Sequence, residues 1–274
     1  MEPVNYFKSP AISGSDLAGC RTPAEFYQRK HLHKPKEADY FNIGTAAHAY
    51  ILQPEKFDDM IIVPASWPEP DKINMDGTYN KKGANGSYLE SIKSQHPDKI
   101  VFEPVIYNNV IDYAESIKLI PGFDKFINLS TGKAEQEYFT QDEESGLELK
   151  GRIDYLKPGK FLCDLKFSKS ISDRDLAYDF REYEYHLRAA FYLDLYNKAT
   201  GENLNTFIYV CVEKSETPVA RFLKMSETDL NAGREMCRVR LNEIAKCYKS
   251  GDWILSSIEN YQCPSWIYEK QNNF

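Results

Sequence analysis

Residues 147–167 read LELKGRIDYLKPGKFLCDLKF. Apolar and polar residues alternate on both sides of Pro158-Gly159, which predicts two strands, 147–156 and 160–167, joined by a tight turn. Side chains alternate along a strand, so Asp164 and Lys166 share one face. The opposite face of that strand is then apolar: Phe161, Cys163, Leu165 and Phe167. The turn can bring Asp154 beside Asp164, which predicts two carboxylates and one ammonium group in a single small region.

This combination suits the hydrolysis of phosphodiesters. Carboxylate oxygens are ligands for Mg²⁺ or Mn²⁺, and such a metal lowers the pKa of an attacking water. A neighbouring lysine can orient that water or stabilise charge developing on the phosphate. The alternative is an Asp–Lys pair on a solvated sheet face, since D-x-K alone is common. The G-R-I-D segment at hairpin distance favours the catalytic interpretation.

The remaining pattern predicts one α/β domain covering residues 1–274, with helical decoration at its N-terminus and a loop excursion near 64–86. The further predicted helices are 13–32 with a restart at Thr22-Pro23, 39–53, 86–95, 104–118, 172–180, 184–199 and 226–249. The further predicted strands are 57–63, 134–141, 205–213 and 218–224. Glu135 and Glu137 fall on one face of the strand 134–141. One alternative is that they reach the site, but we expect that face to be exposed.

Composition restricts the function classes. The chain lacks a secretory signal and any apolar run long enough for a membrane span, so we expect a cytoplasmic protein with no membrane partner. Its six cysteines form no CxxC pair, which favours reduced thiols and no iron–sulfur cluster. The absence of GxxxxGK[ST] predicts that ATP is not used.

The net charge of −7 is unfavourable for a protein that coats DNA, but DNA binding depends on local positive potential. The basic run 29–36 is the main candidate patch, with Arg29, Lys30, Lys34 and Lys36. A solvated loop is the alternative interpretation of that run. Arg21, Lys81 and Lys82 are further candidates for residues that border a DNA entrance.

Several segments together resemble the exonuclease VIII (RecE-type) family within the PD-(D/E)XK nuclease superfamily. Residues 41–57, FNIGTAAHAYILQPEKF, resemble the family's IGTxxHxxxLxPExF segment. Residues 151–154 resemble its GRPD, with Ile153 in place of proline, and 164–166 resemble its D-x-K. Residues 183–192, YEYHLRAAFY, resemble its YxYHxQxAFY, with Arg188 in place of glutamine. The opening residues 12–17 and the late stretch 253–266 also resemble the family's ends.

The resemblance implies a PD-(D/E)XK α/β fold, a mixed sheet flanked by helices. It implies that His48, Asp154, Asp164 and the Leu165 carbonyl hold Mg²⁺ or Mn²⁺, that Lys166 is the catalytic lysine, and that Tyr192 lies near the DNA end. By periodicity alone, His48 would more often be a packed helix residue. Arg188 and Tyr192 share a helix face, so Arg188 is a candidate DNA contact.

The implied activity is exonucleolytic digestion of duplex DNA from its ends, 5′ to 3′. The implied partners are a single-strand annealing recombinase and further copies of the chain in a ring. Two alternatives remain open: another nuclease of the superfamily, such as an endonuclease or single-strand exonuclease, and a non-catalytic DNA-binding protein of the same fold.

Overall fold

A computed structural model describes residues 5–32, 39–215 and 217–254. The strands, numbered along the chain, are β1 (Ile12–Ser13), β2 (Ile61–Ile62), β3 (Ile100–Val101), β4 (Lys133–Gln141), β5 (Glu148–Lys157), β6 (Phe161–Ser168), β7 (Phe207–Glu213) and β8 (Ala220–Lys224). The helices are α1 (Gly14–Ala18), α2 (Pro23–Tyr27), α3 (Asp39–Leu52), α4 (Pro54–Met60), α5 (Ala84–Gln95), α6 (Pro104–Lys118), α7 (Phe123–Phe126), α8 (Asp173–Glu182), α9 (Tyr185–Thr200) and α10 (Glu227–Ser250). A π-helical turn, Gln28–Leu32, extends α2.

The central feature is a mixed sheet in the order β1-β5-β6-β7-β8, with β4 also paired to β5. Pairs β1–β5 and β6–β7 are parallel, whereas β4–β5, β5–β6 and β7–β8 are antiparallel. Strands β2 and β3 form a separate parallel pair. The predicted fold class, a mixed sheet flanked by helices, is therefore confirmed.

Helices cover both faces of the sheet because both faces are apolar. Helices α1, α2, α8, α9 and α10 pack on one face, around residues such as Leu149, Ile153 and Tyr209. Helices α3 and α6 pack on the other, against Cys163 and Leu165 of β6. The predicted alternation along β6 is thus confirmed.

Helices α1, α2 and α10 begin at capping side chains. The Ser13 hydroxyl accepts a hydrogen bond from the Asp16 amide, and the Asp16 carboxylate accepts one from the Ser13 amide, which forms a capping box. Thr22 caps α2 with Pro23 at its first position. Ser226 caps α10 by accepting from the Asp229 amide.

The predicted strand 57–63 is wrong for most of its length. Helix α4 runs from Pro54 to Met60, and only Ile61 and Ile62 are extended. Pro54 occupies the first turn, where its missing amide costs nothing. Phe57 then packs on the rings of Tyr50 and Tyr107, and this tertiary contact outweighs the local strand preference.

The segment 64–86 is largely irregular, as predicted, with one bridge between Ile73 and Tyr79 before α5 begins at Ala84. It is not exposed throughout, because Trp67 is buried and stacks on Tyr79 at 4.4 Å between ring centroids. The buried Asn85 exchanges hydrogen bonds with the backbone of Glu69 and so attaches the segment to α5.

Within the described ranges, no helix combines the length and hydropathy needed to cross a membrane. Five of the six cysteines are buried free thiols: Cys20, Cys163, Cys211, Cys237 and Cys247. Cys263 lies outside the described residues, as do Lys34, Lys36 and most of the late stretch 253–266.

Replacing either of two helical glycines by alanine should change stability, in opposite directions. A Cβ at Gly233 in α10 would lie 2.3 Å from the carbonyl oxygen of His186 in α9, so Gly233→Ala must separate the two helices. A Cβ at Gly44 in α3 would meet no atom within 4 Å. We expect Gly233→Ala to lower the free energy of unfolding by about 1–3 kcal/mol. Gly44→Ala should raise it by up to about 1 kcal/mol, because alanine has the higher helix propensity. Urea unfolding measures both, and equal effects of the two changes would contradict this packing.

A second stability prediction concerns the turn between β4 and β5. The buried Asp142 accepts two hydrogen bonds from Arg238 of α10, at 2.8 and 2.9 Å, and two from Ser145. The Arg238 hydrogen bond, followed by those from Ser145, holds the pKa of Asp142 below its usual range. The stabilisation is therefore present above the unfolded pKa, near 4, and is lost as pH falls through the folded pKa.

We expect Asp142→Asn to lower the free energy of unfolding at pH 7 by about 1–3 kcal/mol. The difference from the unmodified protein should shrink below about pH 4, as the carboxyl protonates. Glu143→Gln is the control, because the neighbouring Glu143 is exposed and pairs with Lys198 across 3.1 Å at the surface. A penalty for Asp142→Asn that is independent of pH would contradict the assignment.

Candidate metal and active site

The site lies where two strands of the sheet separate. Strand β4 pairs with β5 along one edge, from Gln141↔Glu148 to Lys133↔Leu156. On the other edge, β1 pairs only with Leu149 and Lys150, and β6 pairs only with Tyr155, Leu156 and Lys157. Among the described strands, none pairs with residues 151–154 on that edge. The G-R-I-D segment therefore borders a fork between β5 and β6.

Asp154 lies at the base of this fork. The β5–β6 ladder ends at Tyr155↔Cys163, and its continuation would place Asp154 opposite Asp164. Instead of a backbone carbonyl, the Asp154 carboxylate accepts the Leu165 amide at 2.8 Å. Burial raises the pKa of Asp154, and the nearby Asp164 carboxylate raises it further. The predicted proximity of the two carboxylates is thus present.

Glu135 of β4 also reaches the site, so the expectation of an exposed Glu135 is wrong. Its φ is +49°, and the ladder lacks a 135–154 pair although Ala134↔Tyr155 and Gln136↔Ile153 form on either side. A left-handed residue breaks the strict alternation of side chains on which the expectation depended. Burial raises the pKa of Glu135, and Asp154 adds to this effect. Glu137 is exposed, as expected.

His48 enters from α3 and contacts both branches of the fork. Its Nδ1 lies 3.5 Å from Asp154 Oδ2 and 4.0 Å from Glu135 Oε1. Its Nε2 lies 2.9 Å from the carbonyl oxygen of Leu165. Ligand atoms of His48, Glu135 and Asp154 all lie within 4.8 Å of one another. Among the described residues, these three side chains could hold a metal ion, and we refer to them as the metal-ligand group.

Asp164 and Lys166 lie on the α9 side of the fork. Lys166 Nζ pairs with Asp164 Oδ2, and Arg188 Nη2 lies 4.0 Å from Asp164 Oδ1. The ammonium group of Lys166 also lies 5.5 and 5.7 Å from the ring centroids of Tyr185 and Tyr209. The structure therefore places Asp164 beside two cations rather than within the three-residue group, although its charge acts on Asp154.

Arg188 and Tyr192 share a face of α9, as predicted, and their side chains are hydrogen-bonded. A Cβ at Gly151 would lie 3.0 Å from the Tyr192 ring and 2.4 Å from Leu195, so the glycine permits α9 to approach β5 closely. In the part of the chain that the structure describes, Arg188 Nε is buried without a hydrogen-bond partner. The Arg188 side chain as a whole is 21% exposed.

The other predicted DNA contacts are used within the protein or lie elsewhere. Lys30 pairs with Asp16 at 2.7 Å and donates to the Ala11 carbonyl at 2.8 Å, while Arg29 donates to the Gly19 carbonyl. Lys81 pairs with Glu103 at 3.3 Å. Arg21 lines a separate cavity of about 830 Å³ between α8, β8 and α10. DNA contact by these cations stays a prediction.

The donor set fits a divalent metal. It contains two carboxylates, an imidazole and, at 2.9 Å from that imidazole, the Leu165 carbonyl. Burial is the main cause of the raised pKa of Glu135 and of Asp154, and a neighbouring carboxylate adds to it in each case; a bound cation would offset both effects. Oxygen ligands with one imidazole suit Mg²⁺ or Mn²⁺.

No curated protein matches this sequence. A crystal structure named "Putative exonuclease", from Eubacterium rectale, superposes with a TM-score of 0.63 at 15% identity, covering 100% of this chain and 99% of that one. A second crystal structure, of SSO0001, covers 84% of this chain and 98% of its own at 14% identity, with a TM-score of only 0.29. The first likeness extends over the whole chain and concerns the fold.

The model of one family, described as "PDDEXK-like domain of unknown function (DUF3799)", matches residues 15–260, and the chain belongs to this family of PDDEXK-like domains.

Proposed function

We propose that this protein is a divalent-metal-dependent nuclease that hydrolyses phosphodiester bonds of DNA. The observation that carries the proposal is the group of His48, Glu135 and Asp154 at the fork of the sheet, with Lys166 on the adjoining strand. Family membership and the mixed sheet support it, since the group lies in the fold that this family's description names. The name of the Eubacterium rectale structure points in the same direction.

Each residue of the site has a role that follows from its chemistry. His48, Glu135, Asp154 and the Leu165 carbonyl would hold the metal, with Asp164 next to them. When bound, a divalent metal polarises the phosphoryl oxygen and lowers the pKa of the attacking water. Lys166 offers an ammonium group to charge that develops on the phosphate, and the rings of Tyr185 and Tyr209 limit its orientations. Arg188 offers its buried guanidinium to a neighbouring phosphate.

The finer proposal is an exonuclease of the exonuclease VIII type that digests linear duplex DNA from its ends, 5′ to 3′. The segments 41–57, 151–154, 164–166 and 183–192 support this resemblance. A homo-oligomeric ring and a single-strand annealing recombinase as partner belong to the same proposal, and a ring could concentrate positive charge in a channel despite the net charge of −7. Sedimentation at low protein concentration would distinguish a ring from a monomer.

The activity itself is tested with end-labelled linear duplex and closed circular duplex, each with and without Mg²⁺. We expect metal-dependent release of nucleotides from the linear DNA and none from the circle. Label at the 5′ end should be released first. Cleavage of the circle would instead identify an endonuclease, and binding of DNA without cleavage would identify a non-catalytic relative.

Glu135→Gln and Asp154→Asn should each lower the rate of digestion at least about a hundredfold, because each removes a charged metal ligand. Calorimetric titration with Mn²⁺ should show weaker binding in both variants. Glu137→Gln is the matched control, since Glu137 lies two residues along β4 and is exposed. Digestion by Glu135→Gln at the unmodified rate would remove Glu135 from the site.

Arg188→Ala should weaken DNA binding and reduce the slope of log affinity against log salt by about 1 for the loss of one phosphate contact. Arg188→Lys, which keeps the charge, should retain most of that slope. Fluorescence anisotropy in EDTA measures binding apart from cleavage. An unchanged affinity and slope in Arg188→Ala would show that the guanidinium serves only to balance Asp164.

A further inference from the structure

A short segment before β1 is attached to the sheet beside the site. Lys150 of β5 is buried, and its Nζ donates to the carbonyl oxygens of Tyr6 at 2.8 Å and Ser9 at 2.9 Å. The same ammonium group lies 4.8 Å from the centroid of the Tyr6 ring. A buried lysine is costly unless its charge is solvated by the protein, and here the backbone of this segment solvates it. The position of residues 6–9 is therefore coupled to β5.

This attachment presents a contiguous group of aromatic rings at the surface. The rings of Tyr6 and Phe7 meet edge to face at 5.5 Å, and those of Tyr6 and Phe139 meet at 6.0 Å. Phe7 is 73% exposed and Phe139 is 36% exposed. A single exposed apolar side chain is unremarkable, but three neighbouring rings held on a sheet form a surface suited to binding. We refer to Tyr6, Phe7 and Phe139 as the aromatic edge.

Arg152 connects the aromatic edge to the metal-ligand group. Its guanidinium lies 5.1 Å from the Phe7 centroid and 5.9 Å from the Tyr6 centroid. Its Nε lies 3.0 Å from Glu135 Oε2, and Glu135 belongs to the metal-ligand group. The Arg152 side chain is 40% exposed, so it can also meet a ligand. One side chain therefore spans from the rings to a member of the metal-ligand group.

We propose that the aromatic edge, with Arg152, is a binding subsite that stacks an unpaired nucleobase of the DNA strand being cleaved. This rests on the proposed function and specifies its substrate: a strand whose bases near the cleaved phosphate are unpaired. Exposed rings beside a cation are the chemistry that binds single strands, because every base has a face to stack and every nucleotide carries a negative charge. A base inside a duplex is already stacked on both faces and cannot reach the rings.

The proposal makes Phe7 the principal contact, since its ring is the most exposed of the three. Truncating Phe7 removes little buried surface, so the fold should be unaffected, which thermal unfolding can verify. Phe7→Trp keeps an aromatic face, whereas Phe7→Ala removes it. Leu119→Ala is the control for loss of an exposed apolar side chain, because Leu119 is 81% exposed at the end of α6.

The experiment measures how tightly the full chain binds single-stranded oligonucleotides in EDTA, which prevents cleavage. One oligonucleotide has normal bases throughout. In the others, an abasic residue replaces one of the three terminal nucleotides, each position in turn. For at least one position, the unmodified protein should bind the normal strand about fivefold to a hundredfold more tightly than the abasic strand. Phe7→Ala should bring that ratio close to one. Phe7→Trp and Leu119→Ala should preserve it.

An unchanged ratio in Phe7→Ala, or no preference for a base at any position in the unmodified protein, would overturn the subsite. If the unmodified protein shows no preference for a base at any position, the aromatic edge would instead be a surface for a protein partner. Hydrolysis of end-labelled duplex and of end-labelled single strand with Mg²⁺ separates this proposal from the proposed function. Hydrolysis without base discrimination overturns the subsite alone, and base discrimination without hydrolysis overturns the nuclease alone.

Discussion

The hydrogen bond from the Leu165 amide to the Asp154 carboxylate is the interaction on which the site depends. It occurs where the β5–β6 ladder ends at Tyr155↔Cys163, and it replaces a backbone carbonyl with a charged side chain. Because the strands separate beyond it, side chains from both faces of the sheet can meet in one opening. His48 comes from α3 on one face, and Arg188 comes from α9 on the other. An unbroken ladder would have kept them apart.

Charge is distributed unevenly across this opening. On the α3 side, burial and then Asp154 raise the pKa of Glu135, burial and then Asp164 raise the pKa of Asp154, and Arg152 and His48 lie close to these carboxylates. On the α9 side, Asp164 lies between Lys166 and Arg188. One half of the site therefore favours an added cation and the other half carries cations already. Hydrolysis of a phosphodiester needs both halves, since a metal must bind near one phosphate oxygen while positive charge remains available to the other phosphate oxygens.

Two residues allow this arrangement: Gly151, which has no side chain, and Glu135, whose φ is positive. Gly151 lets α9 approach β5, so that Tyr192 and Arg188 reach the fork. Glu135 adopts a left-handed conformation that only a few per cent of non-glycine residues adopt, and such conformations concentrate at functional sites. The buried Lys150 has a comparable role on the other side, where it attaches the aromatic edge to β5.

The residue pattern alone predicted an α/β domain, the hairpin that brings Asp154 near Asp164, and the shared face of Asp164 and Lys166, because alternation and turn residues are local signals. The mixed sheet followed from the family resemblance. The resemblance singled out His48. Local signals offered Glu135 as an alternative site residue but favoured an exposed face for it, since nothing in a single sequence marks a glutamate with positive φ. They also misassigned residues 57–60, where packing of Phe57 decides the conformation. Only the tertiary structure determined three further features: Lys30 is paired with Asp16, Asp164 lies between two cations, and Phe7 borders the site. Each depends on contacts between residues far apart in the chain or on the separation of two strands.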